Sequence, residues 1–142
     1  MCVCETYEPQ VELAIHVFKA QDRASIYYLK NFLTVLPTPK YIEQVLLAAI
    51  YRLADIDPNA CRWILGNHRY LEPELDLIEV AKKFVLKKLE TQGLQVQQDF
   101  RFDTCGHLQL NERALTCLMS ATSAYERLLL EEVLQVRIKD EG

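Results

Sequence analysis

Along most of the chain apolar residues return at intervals of three and four, the spacing that lays a single stripe down a helix. Val11, Ala14, Ile15 and Phe18 form the first stripe, entered at Pro9, where proline's missing N–H costs nothing because the first helical turn leaves that group unbonded. Asp22 is placed to cap a second helix whose face is Ile26, Leu29, Phe32, Leu33 and Leu36, widened by Tyr27, Tyr28 and Val35. So wide a face predicts burial on more than one side. Pro37 stops that helix, and Thr38 followed by Pro39 starts a third, with the stripe Ile42, Val45, Leu46, Ala49, Ile50 and Leu53. Asp57-Pro58 opens a short fourth helix that should stop at Gly66, and Glu72-Pro73 opens a longer fifth that should stop at Gly93. These cap-proline pairs share no matching side chains between them, so they do not mark a solenoid repeat.

From residue 94 the period falls to two. Leu94, Val96, Phe100 and Phe102 alternate with Gln95, Gln97, Asp99 and Arg101, which predicts a strand with one wet face over 94–102. Asp103-Thr104-Cys105-Gly106 suits a type I turn closed by a glycine bulge, since Asp favours the first turn position and Gly accepts positive φ at the last. Leu108 and Leu110 then return along a second strand. One bulged residue sets Phe102 opposite Leu108 and Phe100 opposite Leu110, with all four side chains on one face.

Asn111 can cap the next helix, with Ala114, Leu115, Leu118, Met119 and Ala121 as its apolar positions. Ser123-Ala124-Tyr125-Glu126 matches a capping box and predicts a break near residue 122, with a last helix from Ala124 to about Arg137. Tyr125, Leu128, Leu129 and Val136 make the stripe expected to face the core. Leu130, Val133, Leu134 and Ile138 make a second stripe on an adjacent face, which one small domain is not expected to cover. Those four residues are therefore candidates for self-association, in a homodimer, because two-fold pairing lets one stripe serve both copies.

The pattern predicts a mainly α protein: a single compact domain over 1–142, of six to seven helices, with one β-hairpin at about residues 94–110 between the fifth and sixth helices and a frayed stretch over 1–8. The hairpin's Phe and Leu face should lie against those two helices. Composition agrees, with 50% hydrophobic and 25% charged residues, four glycines and five prolines, which is globular rather than disordered or low-complexity. No apolar run is long enough to span a bilayer, and Met1-Cys2-Val3-Cys4-Glu5 lacks the regions of a signal peptide. Five scattered cysteines do not form a secreted disulfide framework, so a cytoplasmic location is expected.

Candidate chemistry is sparse. The four glycines, at 66, 93, 106 and 142, build neither a dinucleotide fingerprint nor a P-loop, and no cofactor is expected. Glu12 and His16 are the nearest approach to a di-iron motif, but they are unrepeated. Cys2, Cys4, Cys105 and His107 hold metal-ligating types without paired spacing, so no metal site is assigned, and Cys61 and Cys117 read as small core side chains. No Ser, Cys or Thr sits in a nucleophile motif, so no catalytic residue is assigned and a small-molecule or metal-dependent enzyme is an alternative only. Lys82, Lys83, Lys87 and Lys88 ahead of the hairpin resemble a winged-helix layout, making a nucleic-acid-associated subunit the other alternative. Against it, Glu72, Glu74, Asp76 and Glu79 open the same segment, and acid-first, base-last order is what the helix dipole favours without a ligand. The net charge of -4 shows no basic block.

The remaining cluster is Arg62, Trp63, His68, Arg69 and Tyr70, around the end of the fourth helix. It gathers two cations, an imidazole and two large aromatics of the kinds that anchor protein partners. A non-catalytic protein-binding or regulatory module, using those residues, is the expected function.

Overall fold

A computed structural model describes residues 8–33, 39–120 and 122–138. The described residues are mainly α-helical with one hairpin, and the chain divides into two compact units, Met1–Asp76 and Leu77–Gly142.

Unit 1 contains α1 (Glu8–Lys19), α2 (Arg23–Leu33), α3 (Pro39–Ile56), α4 (Pro58–Gly66) and a single 3₁₀ turn at His68–Leu71. The stripe of α3 is buried over its full length, from Ile42 to Leu53, beneath α1 and α4. α1 contributes Val11, Ala14 and Phe18, and α4 contributes Ala60, Cys61, Ile64 and Leu65. Arg52 on α3 donates a bidentate pair to Glu8, with Nη2 2.8 Å from Oε2, tying the start of α1 to α3 and holding the Glu8 carboxyl below its usual range. The short fourth helix follows its sequence signal, since Asp57 caps Ala60 N at 3.2 Å and the helix ends at Gly66.

Two expectations in unit 1 need correction. Glu72-Pro73 does not open a helix: residues 72–74 form a turn that contains the cis Glu72–Pro73 peptide, 75–76 have no regular structure, and α5 starts at Leu77. Leu75 and Leu77 are both fully buried, and residues two apart cannot share one helical face, so the chain must leave helical geometry between them. Nor is α2 buried on more than one side. Ile26, Leu29 and Leu33 are buried, whereas Tyr27, Tyr28 and Phe32 stand half or more in solvent. Val35, Leu36, Pro37 and Thr38 lie outside the described residues.

Unit 2 contains α5 (Leu77–Thr91), β1 (Phe100–Phe102), β2 (Leu108–Leu110), α6 (Glu112–Met119), α7 (Ala124–Leu128), a π-helical turn at Leu129–Val133 and β3 (Arg137–Ile138). Helix α5 buries Leu77, Ala81, Val85 and Leu89 along one line and packs against α6 and the π turn. It ends in a Schellman motif: Leu94 N donates to Leu89 O (3.1 Å) and Gly93 N to Glu90 O (3.0 Å), with Gly93 at φ +81°. Leu94 is buried beside the turn it closes.

The hairpin forms in the expected register, Phe100 opposite Leu110 and Phe102 opposite Leu108. Its turn carries the glycine bulge, with Gly106 at φ +89°, Gly106 N bonded to Asp103 O and Asp103 N to His107 O. Gly106 sits against Ile78 of α5, and the Lys82 ammonium lies 5.5 Å from the Phe102 ring centroid, so the hairpin meets α5 at these points. The first strand is shorter than the alternation predicts. Residues 97–99 turn, Asp99 Oδ2 accepts from Gln95 N at 3.1 Å, and Val96 makes only an isolated bridge and is exposed. Gln98 occupies the position that the apolar alternation would need, so the pattern had already lapsed there.

The last helix also ends earlier than expected. Ser123 and Glu126 form the capping box, but α-helical bonding stops at Leu128 and passes into a π turn. A π turn carries more residues per turn than an α-helix, and adjacent Leu129 and Leu130 are buried together with Val133 and Leu134. The stripe expected to mediate self-association is thus buried in the folded chain, apart from Ile138, which is 51% exposed. Leu134 O accepts from Leu108 N at 2.8 Å, and β3 then pairs parallel with β2, Gln109 opposite Arg137 and Leu110 opposite Ile138.

Phe100 is completely buried, so Phe100→Ala should cost about 3–5 kcal/mol in urea unfolding; a cost under about 1 kcal/mol would contradict the packing described. Gly106→Ala should cost about 1–2 kcal/mol, because a Cβ meets left-handed backbone and Ile78 Cγ2 at 3.0 Å.

Candidate functional site

Helix α2 shows more aromatic surface than any other described element. An amphipathic helix of its length needs one buried stripe, and Ile26, Leu29 and Leu33 supply it. The three further rings lie outside that stripe: Tyr27 is 67%, Tyr28 73% and Phe32 50% exposed. Tyr28 and Phe32, four apart, flank an open groove of about 280 Å³ lined also by Leu13 and Val17 of α1 and by Ser25 and Leu29. The groove wall carries no charged residue.

The start of α2 adds a cation. The Asp22 carboxylate accepts from Ala24 N and from the Ser25 hydroxyl, both at 3.1 Å, which fixes the first turn. Next to it, the Arg23 guanidinium lies 5.4 Å from the centroid of the Tyr70 ring. Farther along the helix, Lys30 Nζ donates to Glu72 O at 2.7 Å and pairs with Glu74 at 3.1 Å. The segment after α4 is therefore fastened to the flank of α2 that carries Arg23, Tyr27 and Lys30, while Tyr28 and Phe32 occupy the other flank, toward α1.

The sequence cluster at 62–70 splits in two. Arg69 and Tyr70 are exposed on the 3₁₀ turn, and Tyr70 meets Arg23 of α2. Arg62 is exposed on α4, and Trp63 is half-buried, its carbonyl accepting from Asn67 Nδ2 at 2.8 Å. His68 is buried at 9% exposure, and its Nδ1 has no hydrogen-bond partner. Burial pushes its imidazole below the ordinary value; Glu72 opposes that shift, Arg69 reinforces it and Asp76 opposes it. Sequence reasoning missed Arg23, Tyr27, Tyr28 and Phe32 as site residues. The available signal was that α2 carries more apolar positions than one stripe can use.

Elsewhere, reactive groups are held in structural roles. Burial pushes the Cys61 thiol up to about 12, and its Sγ lies 3.6 Å from Ile50 O. In the hairpin turn, Asp103 accepts from the backbone N–H groups of Cys105 and His107, both at 2.9 Å, and faces His107 Nδ1 at 3.7 Å. The His107 amide bond leads in holding the Asp103 carboxyl below its usual range. No group of three or more His, Cys, Asp or Glu residues placed to hold a metal occurs among the described residues, and Cys2 and Cys4 lie outside them. A second groove, of about 330 Å³, is bordered by Phe84, Lys87, Lys88 and Glu126. Its Lys88 Nζ is bonded to Ser120 O at 3.0 Å and to Thr122 Oγ1 at 2.9 Å. With Lys82 over Phe102, two of the lysines that suggested a DNA-reading helix are thereby engaged inside unit 2.

No protein-family model, no curated protein and no solved structure matches the chain.

The contrast between the cysteines is measurable. Under native alkylation near neutral pH, followed by peptide mass spectrometry, the exposed Cys105 should be modified at least about tenfold faster than the buried Cys61. Equal rates would mean that the α3–α4 packing opens readily.

Proposed function

We propose that this chain is a non-catalytic protein-binding module and that its partner docks on the α2 side of unit 1. The exposure of Tyr27, Tyr28 and Phe32 on one short helix carries this reading. Each partly exposed ring forgoes a share of the roughly 1.5–3 kcal/mol that full burial of a large apolar side chain gives, a share that a partner surface recovers. Tyrosine and arginine are also the residues that most often anchor protein interfaces, and Arg23, with Tyr70 beneath its guanidinium, lies one turn before Tyr27 on α2.

The partner is read as a different protein. Of the stripe that suggested a homodimer, Leu130, Val133 and Leu134 are buried and Ile138 is at the surface. No described helix is long and apolar enough to cross a membrane. A cytoplasmic setting is part of the proposal, resting on the free thiols of Cys61, Cys105 and Cys117.

Capture from native extract tests the reading. A Tyr28→Ala/Phe32→Ala variant should lose at least about tenfold in recovery of whatever wild type retains, with its melting temperature within a few degrees of wild type. Arg69→Glu should weaken capture with little change in stability, because an exposed charge contributes about 0–1 kcal/mol to folding. Undiminished capture by both variants would remove the proposed face, whereas parallel loss of stability and capture would show that these residues are scaffold.

A further inference from the structure

Among the described residues His68 combines burial with an unsatisfied, titratable nitrogen. The residue is only 9% exposed, and its Nδ1 is closed off from solvent without a hydrogen-bond partner. The neutral ring tolerates this, since an unused lone pair in an apolar setting costs little beyond its own desolvation. The imidazolium does not. Both of its nitrogens are donors, and a buried cationic N–H with no acceptor is among the costlier arrangements a fold can hold.

Charged groups act on the ring from close by. Glu72 is four residues on and exposed, and it and Asp76 both act electrostatically in favour of the protonated form, while Arg69 acts against it. The other charged groups of this region lie on α2 and α4. From α2, Lys30 is held by Glu72 O and Glu74, and Arg23 lies over Tyr70. From α4, Arg62 is exposed. The neutral ring therefore favours the buried position, whereas the cation, with no acceptor for Nδ1–H there, favours water.

The backbone at this point is able to respond. His68 opens a 3₁₀ turn of only four residues, closed by Tyr70 N to Asn67 O (3.0 Å) and Glu72 N to Arg69 O (3.2 Å). Leu71 and Leu75 anchor the next stretch of chain in the core, so a displaced His68 moves the two residues between it and Leu71, which are Arg69 and Tyr70. We propose that protonation of His68 expels its ring from unit 1 and unlocks the turn presenting Arg69 and Tyr70, so that the partner-binding face changes shape under mildly acidic conditions. This regulates the face assigned above and rests on that assignment for its biological consequence; the switch itself is a property of the free protein. In sign, the closed turn is fully stable above the ordinary imidazole value of about 6.5, and its stability is lost as pH falls from there through the lower value of the folded state.

Side-chain and amide NMR of the full chain from about pH 7.5 to about pH 5 tests this without any partner. The His68 ring should titrate below about 6.5, and the Arg69 and Tyr70 amides should shift with the same midpoint. In His68→Gln those two amides should stay fixed over the same range. Wild-type Arg69 and Tyr70 amides that follow no midpoint shared with His68 would overturn the switch, as would persistence of that midpoint in the glutamine variant. Should that variant fail to fold, the wild-type correlation decides alone. Loss of the switch would leave capture at neutral pH intact, and loss of capture would leave the NMR titration intact.

Discussion

The apolar stripe of α3 is the constraint on which the rest of unit 1 depends. Ile42, Val45, Leu46, Ala49, Ile50 and Leu53 are all buried, and a long helix sealed along one line needs neighbours on both flanks of that line. Helices α1 and α4 fill those places, and the Glu8–Arg52 pair fixes the start of α1 where the two helices meet. The surface that α3 leaves unclaimed is covered less completely. Helix α2 packs on α1 and on the 3₁₀ turn with a narrow stripe, and its remaining aromatics stay at the surface. The candidate site is thus the part of unit 1 farthest from the demands of its central helix.

Where one physical signal governed a segment, the sequence was sufficient. Period and proline punctuation located α1, α3 and α4, because burial of a single stripe and the loss of one N–H act locally. The hairpin register followed from turn chemistry alone, since Asp103 and Gly106 each satisfy a separate requirement of the same turn. Boundaries were lost where two requirements competed. At 72–77 a proline start signal yielded to the joint burial of Leu75 and Leu77, and at 129–134 α-helical bonding yielded to the joint burial of neighbouring leucines. Neither competition is visible until the neighbours are in place.

The candidate site was legible in part for the same reason. Arg69 and Tyr70 stood out because they cluster in sequence, but Arg23 joins them only through the fold, by lying over the Tyr70 ring. Tyr27, Tyr28 and Phe32 were read as core because hydrophobicity and burial usually coincide. Their exposure depends on how many neighbours reach α2, which is a property of packing rather than of the helix. His68 goes the opposite way, from candidate partner-binding side chain to buried side chain, because the short turn after α4 points it inward.

The third strand of unit 2 sets an order of events. Strands β1 and β2 are joined by a tight turn and can close on each other at once, with little chain entropy to overcome. Strand β3 lies parallel to β2, and α6, α7 and the π turn separate them in the chain, so it can dock only after that whole crossover has condensed. The hairpin is then a template and β3 a late arrival, held by two paired positions and by the Leu108–Leu134 bond. Assembly of this unit should accordingly run from a fast, local nucleus to a slow, long-range closure, with native-state opening taking the reverse path and starting at Arg137 and Ile138.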